Sequence, residues 1–219
     1  GSHARSSGDL PADASLLTSW ASGDNGFTLP EDVGLHVVHG PEARIGLEVS
    51  YSAGPGVLTR TDRSGVRLCL KQRLRAKEAA FHWLGTQQLG NLLPAADQLT
   101  EAGGACTTGH ASHLIGYVPR MRHQGRHLKA TLTRTDGSSV ALFDRPFEEH
   151  RQNFVWLPGE LAVDVGDRIE TVCTHARDKI FWFGAGSRDE VCYALVLAWP
   201  AGSLTHAAPS PLSGLNTCY

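Results

Sequence analysis

The stretch "YVPRMRHQGRHLKA", Tyr117 to Ala130, gathers three arginines, two histidines and a lysine among apolar neighbours. From Leu114 to Leu132 many residues suit a pleated surface, and "TDG" (Thr135–Gly137) follows as a turn. Residues two apart on a strand share a face, so Arg120 and Arg122 are expected to point one way and Met121 the other. Two like charges side by side on one face are unfavourable unless an anion answers them. A guanidinium pair near a sheet rim suits a carboxylate, sulfate or phosphate, which it can hold through paired N–H donors. The alternative is internal, with either arginine paired to Asp189, Glu190 or Asp144.

His123 follows the pair and could serve as a general acid or base, although alternation turns it to the opposite face. His110 and His113 flank Ala-Ser, and His123 and His127 stand four apart, about 13 Å along a strand. The remaining histidines are scattered, and ordinary surface or core histidines outweigh a metal site. "FEEH" (Phe147–His150) places two carboxylates beside a histidine but reads as a solvated loop.

The elements that must position these residues are short strands. Ile45, Leu47, Val49 and Tyr51 alternate with small or polar residues, as do Val66, Leu68 and Leu70, and Leu128, Ala130 and Leu132. Leu161, Val163 and Val165 do the same before a Gly-Asp turn. "VCYALVLAW" (Val191–Trp199) is nearly all apolar and reads as a strand buried on both faces. "AGPG", "TDRSG", "LPGE" and "GAGS" read as further turns. The one stretch with a helical look is "LRAKEAAFHWLG" (Leu74–Gly85). The fold class is therefore all-β, an antiparallel β-sandwich of jelly-roll-like character. Residues 1–15 read as a loose lead-in beginning with a tag remnant, 16–56 as strands of a preceding domain, 57–200 as the sandwich, and 201–219 as a surface tail.

At 219 residues, with 41% hydrophobic and 19% charged residues, the chain can bury a core of its own. A net charge of −2 lacks the basic excess of a nucleic-acid binder, and no apolar run is long enough to span a membrane. Five cysteines (Cys69, Cys106, Cys173, Cys192 and Cys218) show no Cys-x-x-Cys spacing. They allow two disulfides and a free thiol, or five buried thiols.

From Ser19-Trp20 to about Pro200 the order of segments resembles the copper type II, ascorbate-dependent monooxygenases, the peptidylglycine α-hydroxylating and dopamine β-monooxygenase enzymes. "LPEDVGLHVV…RIGLEVSY" is similar to the stretch closing that family's first domain, and "GVRLCLKQRLRAKEAAFHWLG" to the start of its second. "CTTGHASHLIGYVPRMRHQGRHLKA" resembles its Cys, then His, then His-x-His-x-x-Gly strand. "QNFVWLPGELAVDVGDRIETVC" and "GSRDEVCYALVLAWP" resemble its Gln-containing strand with a Gly-Asp turn and its Asp-Glu-Met-Cys strand. The resemblance implies a β-sandwich in a secreted protein, a Cys173–Cys192 bridge beside the catalytic copper, a Cys106–Cys218 bridge holding the tail, and Cys69 free.

The same resemblance implies that the copper chemistry is missing. The family's catalytic copper is held by the two histidines of His-x-His and a methionine, and these positions hold Arg120, Arg122 and Val191. The third histidine position of its electron-transfer copper is Ser50. Guanidinium groups keep their protons and repel a cation. No cofactor is expected, copper included. The implied function is a copper-independent homologue whose former copper cleft binds an anionic small molecule or peptide, with non-redox catalysis such as isomerisation or cyclisation open to it. Arg120 and Arg122 would orient the anion, and Asp189, Glu190 or His123 would move protons. Trp182 and Phe183, from "IFWFG", with Val191 and His113 would line the pocket. The alternatives are a non-catalytic binding or structural pseudoenzyme and, behind it, a monooxygenase with relocated ligands.

Overall fold

The computed structural model describes residues 15–21, 23–49, 61, 63–86, 91–92, 99–176, 181–182, 189–204 and 217–218. Its strands are β1 (Val33–Leu35), β2 (Lys77–Thr86), β3 (Asn91–Leu92), β4 (Thr100–Thr107), β5 (Ser112–Arg120) and β6 (Gly125–Thr133). They continue with β7 (Ser139–Pro146), β8 (Val155–Val163), β9 (Arg168–His175), β10 (Phe181–Trp182), β11 (Cys192–Trp199) and β12 (Thr217–Cys218). No helix occurs among the described residues.

Two sheets face each other. One runs β1-β2-β11-β5-β8, with β12 completing the outer edge of β2 beyond β1. The other runs β4-β9-β6-β7. Every pairing is antiparallel except the short β1–β2 contact. The inward residues follow from alternation. Leu128, Ala130 and Leu132 of β6 meet Ile169 and Cys173 of β9 and Ala194, Val196 and Ala198 of β11 in the inter-sheet core. Leu132 and Leu114 are fully buried, and a side chain of that size contributes about 1.5–3 kcal/mol when removed from water.

β5 and β11 are central strands buried on both faces, as the unbroken apolar run of β11 predicts. Their second face forms another cluster with Ala79, Phe81, Ile115, Val118, Leu195 and Leu197. Leu16, Phe27, Leu29 and Leu35 from the N-terminal stretch pack onto it, with Phe154. Phe27 stacks on Phe154 at 4.6 Å between ring centres, and Trp156 meets Phe154 edge-on.

Several sequence expectations are corrected. The helical reading of Leu74–Gly85 fails, because these residues enter the central strand β2. Ala79 and Phe81 face one cluster and Leu84 the other, so burial on two faces overrides the helix propensity of "KEAA". Residues 45–49 and 65–71 form no regular strand. A strand needs a neighbour for its N–H and C=O groups, and among the described residues none pairs with them; Ile45, Leu47, Val66 and Leu70 stand exposed. Val165 lies exposed in the turn after β8. "LPGE" is an outward bulge inside β8 rather than a hairpin turn, where pairing jumps from Leu114↔Leu161 to Gly116↔Trp156. "TDG" does close β6 to β7: Gly137 has φ 84° and its N–H donates to Arg134 O at 3.0 Å. "AGPG" and "GAGS" lie outside the described residues.

Candidate functional site

The strand expected across Leu114–Leu132 breaks after Arg120, and residues 121–124 turn into β6. Gly125 N–H donates to Arg122 O at 2.9 Å to close this turn. Only glycine fits there, since a Cβ would stand 2.7 Å from the Phe147 ring and 2.8 Å from Met121 Cβ. Arg120 therefore ends a strand while Arg122 sits in the turn. Met121, 1% exposed, points into the inter-sheet core.

Arg120 pairs with Tyr193 across β5 and β11, so both project from the outer face of that sheet. Arg120 is 6% exposed. Its Nη1 donates to Gln152 O at 3.2 Å and its Nη2 to Ser19 Oγ at 2.8 Å. Burial lowers its affinity for the proton, an effect that Tyr193 and Asp24 oppose electrostatically. Burial likewise pushes the Tyr193 phenol up, and Arg120 and Arg122 both pull it down.

Arg122 Nη1 donates to the backbone carbonyl of Asp189 at 3.0 Å. Glu190, 1% exposed, accepts the backbone N–H of Arg122 at 3.0 Å through Oε2 and that of Gln124 at 2.9 Å through Oε1. Burial pushes its carboxyl up, while those two N–H groups, His123 and Arg122 oppose the shift. His175 Nε2 lies 3.9 Å from Glu190 Oε2. His175 is completely buried, and desolvation lowers its pKa to about 4 against the pull of the Val191, Thr100 and Cys173 backbones. Cys173 and Cys192 form a disulfide at the same end of the sandwich.

For Arg120, the internal carboxylate partners offered by the sequence are replaced by a carbonyl and a hydroxyl. Among the described residues, Arg120 pairs with none of Asp189, Glu190 and Asp144. Asp144 engages His127 at 3.0 Å and Lys129 at 3.7 Å on the other sheet. Glu190 binds backbone rather than a guanidinium because the break in the strand turns two N–H groups toward it.

His123 points outward and contacts Glu149 at 2.7 Å, so "FEEH" supplies it a surface partner. His113 lies seven residues from Arg120 along β5, about 23 Å away, and stacks on Trp199 at 4.2 Å. Val191 stands half-buried between Glu190 and the disulfide. The backbone of Trp182 belongs to β10, which pairs with β3, while Phe183 lies outside the described residues. Cys106 is disulfide-bonded, and Cys69 is free and exposed. The side chain of Cys218 lies outside the described residues, though its strand pairs with β2. Tyr193, Gln152, Ser19 and His175 were not singled out by sequence. Tyr193 is next to Cys192 and His175 two residues past Cys173, but only strand register brings either to the arginines.

The positions where the resemblance places copper ligands hold Arg120, Arg122 and Val191. Arg120 presents a buried cation, Arg122 a guanidinium bound to a carbonyl, and Val191 a hydrocarbon. Among the described residues no three His, Cys, Asp or Glu side chains gather as metal ligands.

Residues 77–213 match the family model for the copper type II ascorbate-dependent monooxygenase C-terminal domain. The chain is 28% identical over 222 residues to DBH-like monooxygenase protein 1 of Gallus gallus, covering 90% of this chain and 35% of that protein. It is 26% identical to the Homo sapiens protein of the same name, with the same coverage, and 28% identical over 206 residues to dopamine beta-hydroxylase of Bos taurus, covering 86% and 33%. The chain spans about a third of the length of these curated relatives. The matched span takes in β2 to β11 and every residue of the site except Ser19 and Asp24, and the chain belongs to the copper type II ascorbate-dependent monooxygenase family.

Proposed function

We propose that this chain is a copper-independent member of its family, and that the region corresponding to the catalytic copper binds a small molecule or peptide. The observation that carries this is Arg120, a permanent cation held inside the protein by neutral acceptors at a position where the family resemblance calls for a copper-binding histidine. A nearby Cu(I) or Cu(II) would face its repulsion at low dielectric. Arg122 and Val191 at the other two positions point the same way.

Binding is favoured over proton transfer. Both oxygens of Glu190 are committed to backbone N–H groups, and His123 faces solvent on the far side of the turn. The same commitment supports a structural pseudoenzyme as the second reading. The Cys173–Cys192 bridge suits an oxidising compartment, so a secretory location belongs to this proposal.

The test is metal analysis after incubation with Cu(II) and removal of loosely held ions. Copper far below one ion per chain is expected. Stoichiometric copper would overturn the proposal.

A further inference from the structure

Arg120 has a polar balance that does not close. A buried charge is costly unless an opposite charge answers it. Among the described residues no carboxylate lies within ion-pair distance of Arg120, whose partners are a carbonyl and a hydroxyl. Asp24 attracts it from farther away, but Asp24 Oδ1 already accepts the Gly26 N–H at 2.9 Å. A guanidinium carries five N–H donors, and the contacts among the described residues engage one at Nη1 and one at Nη2. The group is nonetheless 94% withdrawn from solvent, at 6% exposure.

Beside it lies an aromatic shelf. Tyr193 is the cross-strand neighbour of Arg120, and its ring centre is 4.6 Å from that of Trp83 on β2. Both rings are half-buried. Arg122 adds positive potential at the same phenol. Gly85 allows the close approach of β2 that sets the shelf, since a Cβ there would stand 2.3 Å from Cys192 O. Ser19, half-buried, accepts one N–H of the guanidinium through its Oγ.

We infer that Arg120 anchors a site for a small aromatic carboxylate, whose anionic group takes the Arg120 fork and whose ring lies on Tyr193 and Trp83. The inference rests on the copper-independent reading of this region. Exchange of Ser19 Oγ for a carboxylate replaces an ion–neutral hydrogen bond with an ion pair that a planar guanidinium can hold through two parallel N–H donors. The ring gains contact with aromatic surface at little entropic cost.

Calorimetric titration of the whole chain with benzoate, benzyl alcohol and acetate tests this. Benzoate is expected to bind saturably and at least about tenfold more tightly than either other compound, because only it carries both the charge and the ring. Arg120→Gln is expected to remove the preference for benzoate over benzyl alcohol, and Ser19→Ala to preserve or strengthen binding. Equal binding of benzoate and benzyl alcohol to the unaltered protein, or no saturable benzoate binding, overturns the site even if Arg120→Gln does not fold. A benzoate preference that survives in folded Arg120→Gln also overturns it. Protein that ignores both copper and benzoate refutes this site and leaves the copper-independent reading intact. Stoichiometric copper refutes that reading whatever benzoate does.

Discussion

His175 and Glu190 sit 3.9 Å apart with almost no solvent, and their titrations oppose each other. The folded chain holds the His175 pKa at about 4 against an ordinary 6.5, so the unfolded chain takes up the proton first. Its stabilising contribution is complete above pH 6.5 and is lost as the pH falls toward 4, by about 3 kcal/mol. Glu190 has the reverse sign. Its carboxyl is raised above 4.5, so its contribution is complete below that value and is lost as the pH rises through the folded pKa. Urea midpoints should therefore decline between about pH 6.5 and about pH 4, and His175→Gln should flatten that decline. An unchanged slope in the variant would contradict the assignment to buried imidazole. Sequence indicated Arg120, Arg122, Asp189 and Glu190 as chemistry-bearing, and each stands at one end of the sandwich. It could not show that Glu190 serves backbone N–H groups, because that depends on a strand ending at Arg120.

The strands most legible in sequence are those with one clear face or none exposed. Leu128, Ala130 and Leu132 mark β6, and the apolar run of β11 marks a central strand. β2 carries a helical signature because Ala and Glu favour helix locally, whereas its pairing with β11 joins residues more than a hundred apart. The same non-local pairing hid Tyr193, placed beside Arg120 by β5–β11 register. The turn at residues 121–124 depends on the Glu190 carboxylate. Glu190→Ala leaves the amides of Arg122 and Gln124 without that acceptor and should cost about 1–3 kcal/mol per amide that finds no water. Hydrogen exchange at these two amides should quicken more than in β6. Uniform acceleration across the sheet would instead indicate global loosening.

At the scale of the molecule, the inter-sheet core is built from the sandwich strands, whereas residues 38–49 and 63–74 leave large apolar side chains outside it. Val38, Ile45, Leu47, Val66, Leu70 and Leu74 are all at least 44% exposed. The alternating pattern that suggested strands there is real in the sequence; its pairing partner is not among the described residues. The family relationship rests on the matched span, whereas the proposed loss of copper rests on three positions in two distant segments. Those positions can be put back. Electron paramagnetic resonance after Cu(II) loading should show no stoichiometric histidine-bound copper in the unaltered chain, and a signal approaching one copper per chain, split by imidazole nitrogen, in the combined Arg120→His, Arg122→His, Val191→Met variant. Such a signal in the unaltered chain, or its absence from a folded variant, would contradict the claim that these residues occupy and close a copper site.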